Sequence, residues 1–282
     1  MAYPTVSAPY GLEPVNLIGG QQFAGQTREI PIASGYNTNL FNGDVVKLTT
    51  DGTIVKDTGT TTATPVGVFL GVSYTNPSTK QKLYAQYWPA GTVASDAVAY
   101  VQDDPDLLMK AVAVSGTTVP TYAGQAMVGL NAAFVQNTGS TTTGDSAVAV
   151  GSFATTASLP ARVVAIVPES AVTTTAVGST SGSSTTVTLT AANSAIKKYM
   201  DVSGTGVAAG TYVSNISGTT LTLSAAANLT SITLTFFGSP EVIVKWNEPY
   251  AVSTTTAAGS PLAYTTTTVV TGGHQYRNPV GV

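Results

Sequence analysis

No cysteine occurs anywhere in the 282 residues, so thiolate nucleophiles, cysteine-ligated metals and disulfide frameworks are excluded. A single histidine, His274, excludes multi-histidine metal sites and leaves one imidazole as a conventional base. Charge is scarce as well. Asp, Glu, Lys and Arg make up 9% of the chain, against about 25% in an average soluble protein. With 11 basic and 14 acidic residues the net charge is −3, which supplies no basic face for a nucleic-acid backbone. No apolar run approaches the about 20 residues that span a bilayer. The opening MAYPTVSAPYG lacks a charged n-region followed by an apolar stretch, so it does not read as a signal peptide.

What is present is hydrophobic residue content of 43% and an abundance of Thr, Ser, Gly and Ala. That hydrophobicity argues against disorder of the whole chain. A low-charge, hydroxyl-rich surface suits a protein whose neighbours are other proteins, and assembly is favoured over a free monomer. Neither nucleic acid nor membrane is expected as a partner. A chain of this length buries enough surface to fold without a staple.

The first stretch, residues 1–27, carries Pro4, Pro9 and Pro14 and scattered apolar residues. It reads as an extended N-terminal arm. Tyr10, Leu12, Leu17, Ile18 and Phe23 are its candidate interface anchors, since large apolar and aromatic side chains contribute most at protein interfaces. An ordinary strand-and-loop entry packed on its own domain is the competing reading.

From Arg28 the pattern is β. Gly43–Leu48 and Thr53–Lys56 flank Asp51-Gly52, a strong hairpin signal. Pro65–Val72 is wholly apolar and predicts a central strand. Further strands are predicted over Lys82–Trp88, Ala97–Val101, Leu107–Val114, Asn131–Val135 and Leu159–Val167. Strands at such spacing, with turn signals between them, predict a barrel or a sandwich. Helix signals are confined to Ser194–Met200 and, more weakly, Gln125–Leu130 and Asp145–Ser152.

Composition shifts near Ala171. Residues 171–239 alternate apolar and hydroxyl side chains and read as a small Ig-like β-sandwich module. The parent all-β domain then comprises residues 28–170 plus 240–282, with the module inserted at a hairpin tip. Thr60–Thr64, Ser140–Thr143 and Thr173–Thr186 read as exposed loops.

Local chemistry is sparse. Asp103-Asp104-Pro105-Asp106 places three carboxylates in one turn, which suits calcium. The spacing is not that of an EF-hand loop, and a solvated turn capped by Asp side chains is the favoured reading. No Gly-x-Ser-x-Gly elbow accompanies His274, which reads as an interface or core residue. Gly204-Thr205-Gly206 lies in a turn between strands, without the βαβ context of a dinucleotide site. Tyr84 and Trp88 share one strand face and Tyr87 the other, so these aromatics form no single platform. No cofactor, resident metal or catalytic residue is expected.

The strings Ile32–Tyr36, Gly43–Leu48, Pro65–Val72 and Tyr276–Val282 resemble a family of tailed-phage virion structural proteins. The run from Gly43 to Val72 is similar to the barrel core of phage capsid decoration (cement) proteins, and the inserted segment, with Gly204–Val207 and Gly218–Leu223, resembles β modules appended to phage surface proteins. The resemblance implies a non-enzymatic protein on the outer surface of the capsid. Its partner would be the major capsid protein, bound across capsomer junctions as a homotrimer, and it would stabilise the expanded head. The alternatives are a fibre or tail-associated adhesion protein binding host glycans, and a depolymerase with two spaced carboxylates.

Overall fold

β-Branched residues and alternating burial make strand the dominant element among the described residues. The structure, a computed structural model, describes residues 6–18, 25–248, 250–254 and 267–277. The first half supplies β1 (Glu13–Leu17), β2 (Arg28–Pro31), β3 (Asp44–Leu48), β4 (Ile54–Lys56), β5 (Gly67–Thr75), β6 (Lys82–Ala85) and β7 (Val98–Gln102). There follow β8 (Leu107–Val112), β9 (Val114–Ser115), β10 (Val119–Pro120), β11 (Asn131–Val135), β12 (Ala149–Ala154) and β13 (Ala161–Ile166). Next come β14 (Val172–Ser179), β15 (Ser183–Leu189), β16 (Asp201–Ser203), β17 (Val213–Ser217), β18 (Thr220–Asn228) and β19 (Ile232–Gly238). The chain closes with β20 (Glu241–Trp246) and a ribbon of β21 (Tyr250–Thr254) and β22 (Thr267–Thr271).

One six-stranded sheet runs β1-β8-β20-β13-β11-β12. A parallel bridge from Ala113 to Val150 draws β12 back toward the end of β8, so the sheet curls into a partly closed barrel. Its interior holds Met109, Phe134, Val150, Val163, Val244 and Trp246, all buried, with Phe134 edge-on to Trp246 at 5.8 Å.

A second sheet, β2-β7-β5-β3-β4 with β6 also on β5, is covered on both faces. Val45 and Val68 join the barrel core, whereas their neighbours Val46 and Phe69 turn the other way, into a core with Trp88. Burial on both faces explains why the chain around β5 is an unbroken apolar run. Gly67 is obligatory there, because a Cβ would collide with the Gln102 carbonyl of β7. The β3–β4 hairpin turns where Asp51-Gly52 predicts, with Gly52 at φ 74°.

Strands β14–β19 form a sheet of their own, ordered β16-β19-β14-β15-β18-β17, around Val187, Met200, Val213, Leu221, Leu234 and Phe236. Where the sequence predicts two facing sheets, these six strands form one. Its ends meet, because Val202 donates to the Thr211 carbonyl and Val213 to that of Met200 at 2.8 and 2.9 Å. β13 and β20, which lead into and out of this unit, are paired neighbours in the barrel. The two connections are tied together by Ser239, whose hydroxyl donates to the Val167 carbonyl at 2.7 Å.

Four local expectations are corrected. Thr173–Thr186, expected to be a loop, is most of the β14–β15 hairpin, turning at Gly182 with φ 65°. Ser194–Met200 is a run of turns, not a helix. So short a segment cannot nucleate a helix alone, and burying Ile196 and Met200 while Tyr199 takes φ 72° sets its course. Gln125–Leu130 contains only a 3-10 turn at Gln125–Met127, and Asp145–Ser152 leads into β12.

Candidate interaction surface

The N-terminal segment is built into the barrel. Val6 and Tyr10 pack on Val112, Val114 and Ala149. The chain then crosses under Gly43. Gly11, at φ 94°, leaves no room for a Cβ, which would lie 2.8 Å from Cβ of Ser146 and 3.0 Å from Cα of Gly43. That crossing lets Leu12 donate to the Gly43 carbonyl at 2.9 Å and drives its side chain into the barrel core.

The expected anchors therefore separate. Leu12 is 1% exposed and fills this chain's own core, so its assignment to a neighbour's surface is corrected. Tyr10 is half-buried, and its hydroxyl donates to Oε1 of Glu241 at 2.6 Å. Burial first, and then that carboxylate, push its pKa upward. It too is engaged within the chain. Leu17 packs against the barrel core. Ile18 stands 43% exposed. Phe23 lies outside the described residues.

β1 is the terminal strand of the barrel sheet, paired with β8 on one side and with no strand on the other among the described residues. Val15 is the extra residue of a bulge between Pro14 and Asn16, and it faces solvent beside Ile18. A proline and a bulge are standard ways of keeping an open edge from pairing indiscriminately. Next to this edge lies a groove of about 460 Å³ floored by Val15, Ile166 and Ile243, with Lys110 and Glu169 at its rim. Lys110 is fixed by Glu13 at 2.8 Å, and this hydrogen bond raises its pKa despite the opposing cost of burial. The result is an apolar strip beside an open sheet edge, with Lys110 already matched by Glu13.

The acidic turn and the C-terminal segment meet at the opposite end of β8. Asp103 accepts from the Tyr276 hydroxyl at 2.8 Å and pairs with Arg28 at 2.9 Å. Asp106 pairs with Arg277 at 2.6 Å, and Arg277 also reaches Glu248. Asp104 accepts from the Asp106 amide at 2.8 Å, capping the turn as the sequence predicts. Two of the three carboxylates are thus paired with guanidinium groups, and no group of three metal-ligating side chains occurs among the described residues. Burial, and then Asp103, push the Tyr276 hydroxyl up to about 12.

His274 is completely buried, 5.9 Å from Trp246 and 5.3 Å from Tyr276 between ring centroids. The residues after it form a strap. Gln275 donates its amide N–H to the Pro65 carbonyl at 2.7 Å, and His274 donates to that of Asn247 at 3.3 Å. The strap thus joins the second sheet to the barrel. Nothing in the composition marked Gln275 for this role. The only local signal was the pair Gly272-Gly273, both at positive φ, which turns the chain inward.

The aromatic cluster divides further than strand spacing predicts. Only Lys82–Ala85 is strand, and Tyr84 is 75% exposed. Tyr87 stacks on Phe41 at 5.7 Å. Trp88 is buried, and its indole donates to the Tyr36 carbonyl at 3.1 Å. In comparison with known proteins, no family model, no curated protein and no solved structure matches the chain.

Proposed function

We propose that this chain is a non-enzymatic decoration (cement) protein of a tailed-phage head, carried on the outer surface of the capsid. In this reading it binds the major capsid protein across capsomer junctions as a homotrimer and stabilises the expanded shell. The parent domain is then an enlarged decoration-protein barrel, and the inserted module projects from it.

The observation that carries the reading is the open β1 edge beside the apolar groove. A charge-poor barrel that exposes Val15 and Ile18 at a strand whose outer edge is unpaired among the described residues offers backbone and apolar surface together. An extended segment of a neighbouring subunit can use both, adding a strand to the edge and seating side chains in the groove. Modest affinity per site suffices when several capsomers are engaged at once. Binding only the expanded lattice would stabilise that lattice by linkage.

Co-sedimentation tests this. The purified protein is mixed with immature and with expanded capsids that lack it, and bound copies are counted by gel densitometry. Saturable binding to expanded shells alone, at a stoichiometry matching three-fold sites, is the expected result. Absence of binding to both shells would overturn the proposal.

A further inference from the structure

A cavity of about 550 Å³ opens at the seam between the β14–β19 unit and the parent domain. The parent contributes Gln125. The remainder comes from β16, β19 and the turn that follows β16. Domain seams are where small-ligand sites concentrate, and this volume lies within their usual range.

Strand register sets what faces the cavity. Phe236 turns into the module core and is fully buried, so Phe237, the next residue, turns outward with its ring half-buried. Asp201 on β16 and Thr173 on β14 lie directly opposite Phe237 on either side, which makes one cross-strand row on the outer face. Asp201 is held in place. Its Oδ2 accepts the Gln125 amide at 3.0 Å. Gly124 makes the space for this, since a Cβ there would lie 2.7 Å from Oδ1 of Asp201. Among the described residues, Oδ1 accepts no hydrogen bond. Ser203 adds a hydroxyl and Val207 adds apolar wall, whereas Val202 turns into the module core and the Thr211 hydroxyl donates to the Ala208 carbonyl at 2.7 Å.

We propose that this seam cavity is a saccharide site that takes one neutral pyranose ring at its centre. The C–H face of the ring lies on Phe237, and a sugar hydroxyl donates to Asp201. Other sugar hydroxyls exchange hydrogen bonds with Ser203 and the Gln125 side chain. The lining selects this class over its rivals. Among the described residues, no lysine, arginine or histidine lines the cavity to offset Asp201 for an anionic ligand. A wholly apolar ligand would desolvate the carboxylate without replacing its hydrogen bonds. A pyranose has both an apolar face and a polar edge. The inference does not rest on the capsid reading, and failure of capsid binding leaves it standing.

Saturation-transfer-difference NMR of the full chain tests it, using methyl glycosides of glucose, galactose, mannose and rhamnose, N-acetylglucosamine, and butylammonium as a cationic probe. Transfer to the ring C–H protons of at least one glycoside is expected. Phe237→Ala and Asp201→Asn should each weaken that binding at least about tenfold, a loss of about 1.4 kcal/mol. Phe237→Tyr should retain it, and an unchanged amide spectrum elsewhere would show that each variant is folded. Three results would overturn the proposal: no transfer to any glycoside, binding indifferent to both weakening variants, or butylammonium bound more tightly than every sugar.

Discussion

Gln275 completes the exposed side of Leu48 as a strand would. The Leu48 amide donates to Oε1 of Gln275 at 2.7 Å, and Nε2 of Gln275 donates back to the Leu48 carbonyl at 3.2 Å. One side-chain amide thereby satisfies both backbone groups of a residue at the end of β3. Gln275→Ala should cost about 2 kcal/mol, because it strands a donor and an acceptor in a partly buried place. Gln275→Glu keeps the acceptor but sets a buried carboxylate oxygen against the Leu48 carbonyl, so a loss at least as large is expected. Urea unfolding of the three proteins checks the order.

Stability should fall in mild acid because of His274. Burial pushes its pKa down from 6.5 to about 4; Arg277 acts in the same direction, and Asp103 and Asp104 oppose it. The unfolded chain takes up this proton near pH 6.5, whereas the folded chain resists until about pH 4. The contribution is complete above pH 6.5, is lost as pH falls through that window, and levels off below it. The full loss is at most about 3 kcal/mol. His274→Gln should flatten the difference in thermal midpoint between pH 7 and pH 4.5, and a variant as acid-sensitive as the parent would contradict this assignment.

A buried ion pair within the β3–β4 hairpin also ties in the loops at Phe41 and Ser146. Asp44 accepts from Nζ of Lys56 at 2.9 Å, from the Ser146 hydroxyl at 2.6 Å and from the Phe41 amide at 2.9 Å. Lys56→Met alone should cost about 3–5 kcal/mol, because it leaves the carboxylate buried without its cation. Adding Asp44→Asn should recover much of that loss. Chemical denaturation of the single and double variants measures the coupling directly.

The seating of the module depends on a glycine. A Cβ on Gly124 would collide with the Tyr199 carbonyl and crowd Asp201. Gly124→Ala should push β16 off the parent while leaving both cores intact. Limited proteolysis should then cut near residues 168–171 and 239–240 faster than in the unsubstituted protein, with no change in far-ultraviolet circular dichroism. Equal cleavage rates would show that the seam tolerates the methyl group.

Much of this architecture is legible in the residues, for physical reasons. The run around β5 has no polar interruption because both its faces are buried, and Asp51-Gly52 announces its hairpin through Gly52. The alternation of β18 and β19 reflects a single buried face. Thr173–Thr186 misleads because Thr and Ser, which fill loops elsewhere, here face solvent from β14 and β15. Leu12 misleads differently. A lone apolar residue among prolines signals burial but not whose core receives it, and that is decided by the crossing of Gly11 under Gly43. The seam cavity could not be read at all, since Gln125 and Asp201 are far apart in sequence and meet only through the module's placement.

The position of β20 constrains the order in which this chain can fold as it is made. β20 is an interior stave of the barrel, between β8 and β13, yet it leaves the ribosome only after the whole β14–β19 unit. Until then β8 and β13 each lack a neighbour, and the barrel core lacks Val242, Val244 and Trp246. The inserted unit carries its own core and draws its strands from one contiguous stretch, so it can fold first. Closing the parent is then the late, long-range step. An insertion that looks like an ornament on the finished molecule therefore acts during synthesis as a delay, holding the barrel open while the module folds.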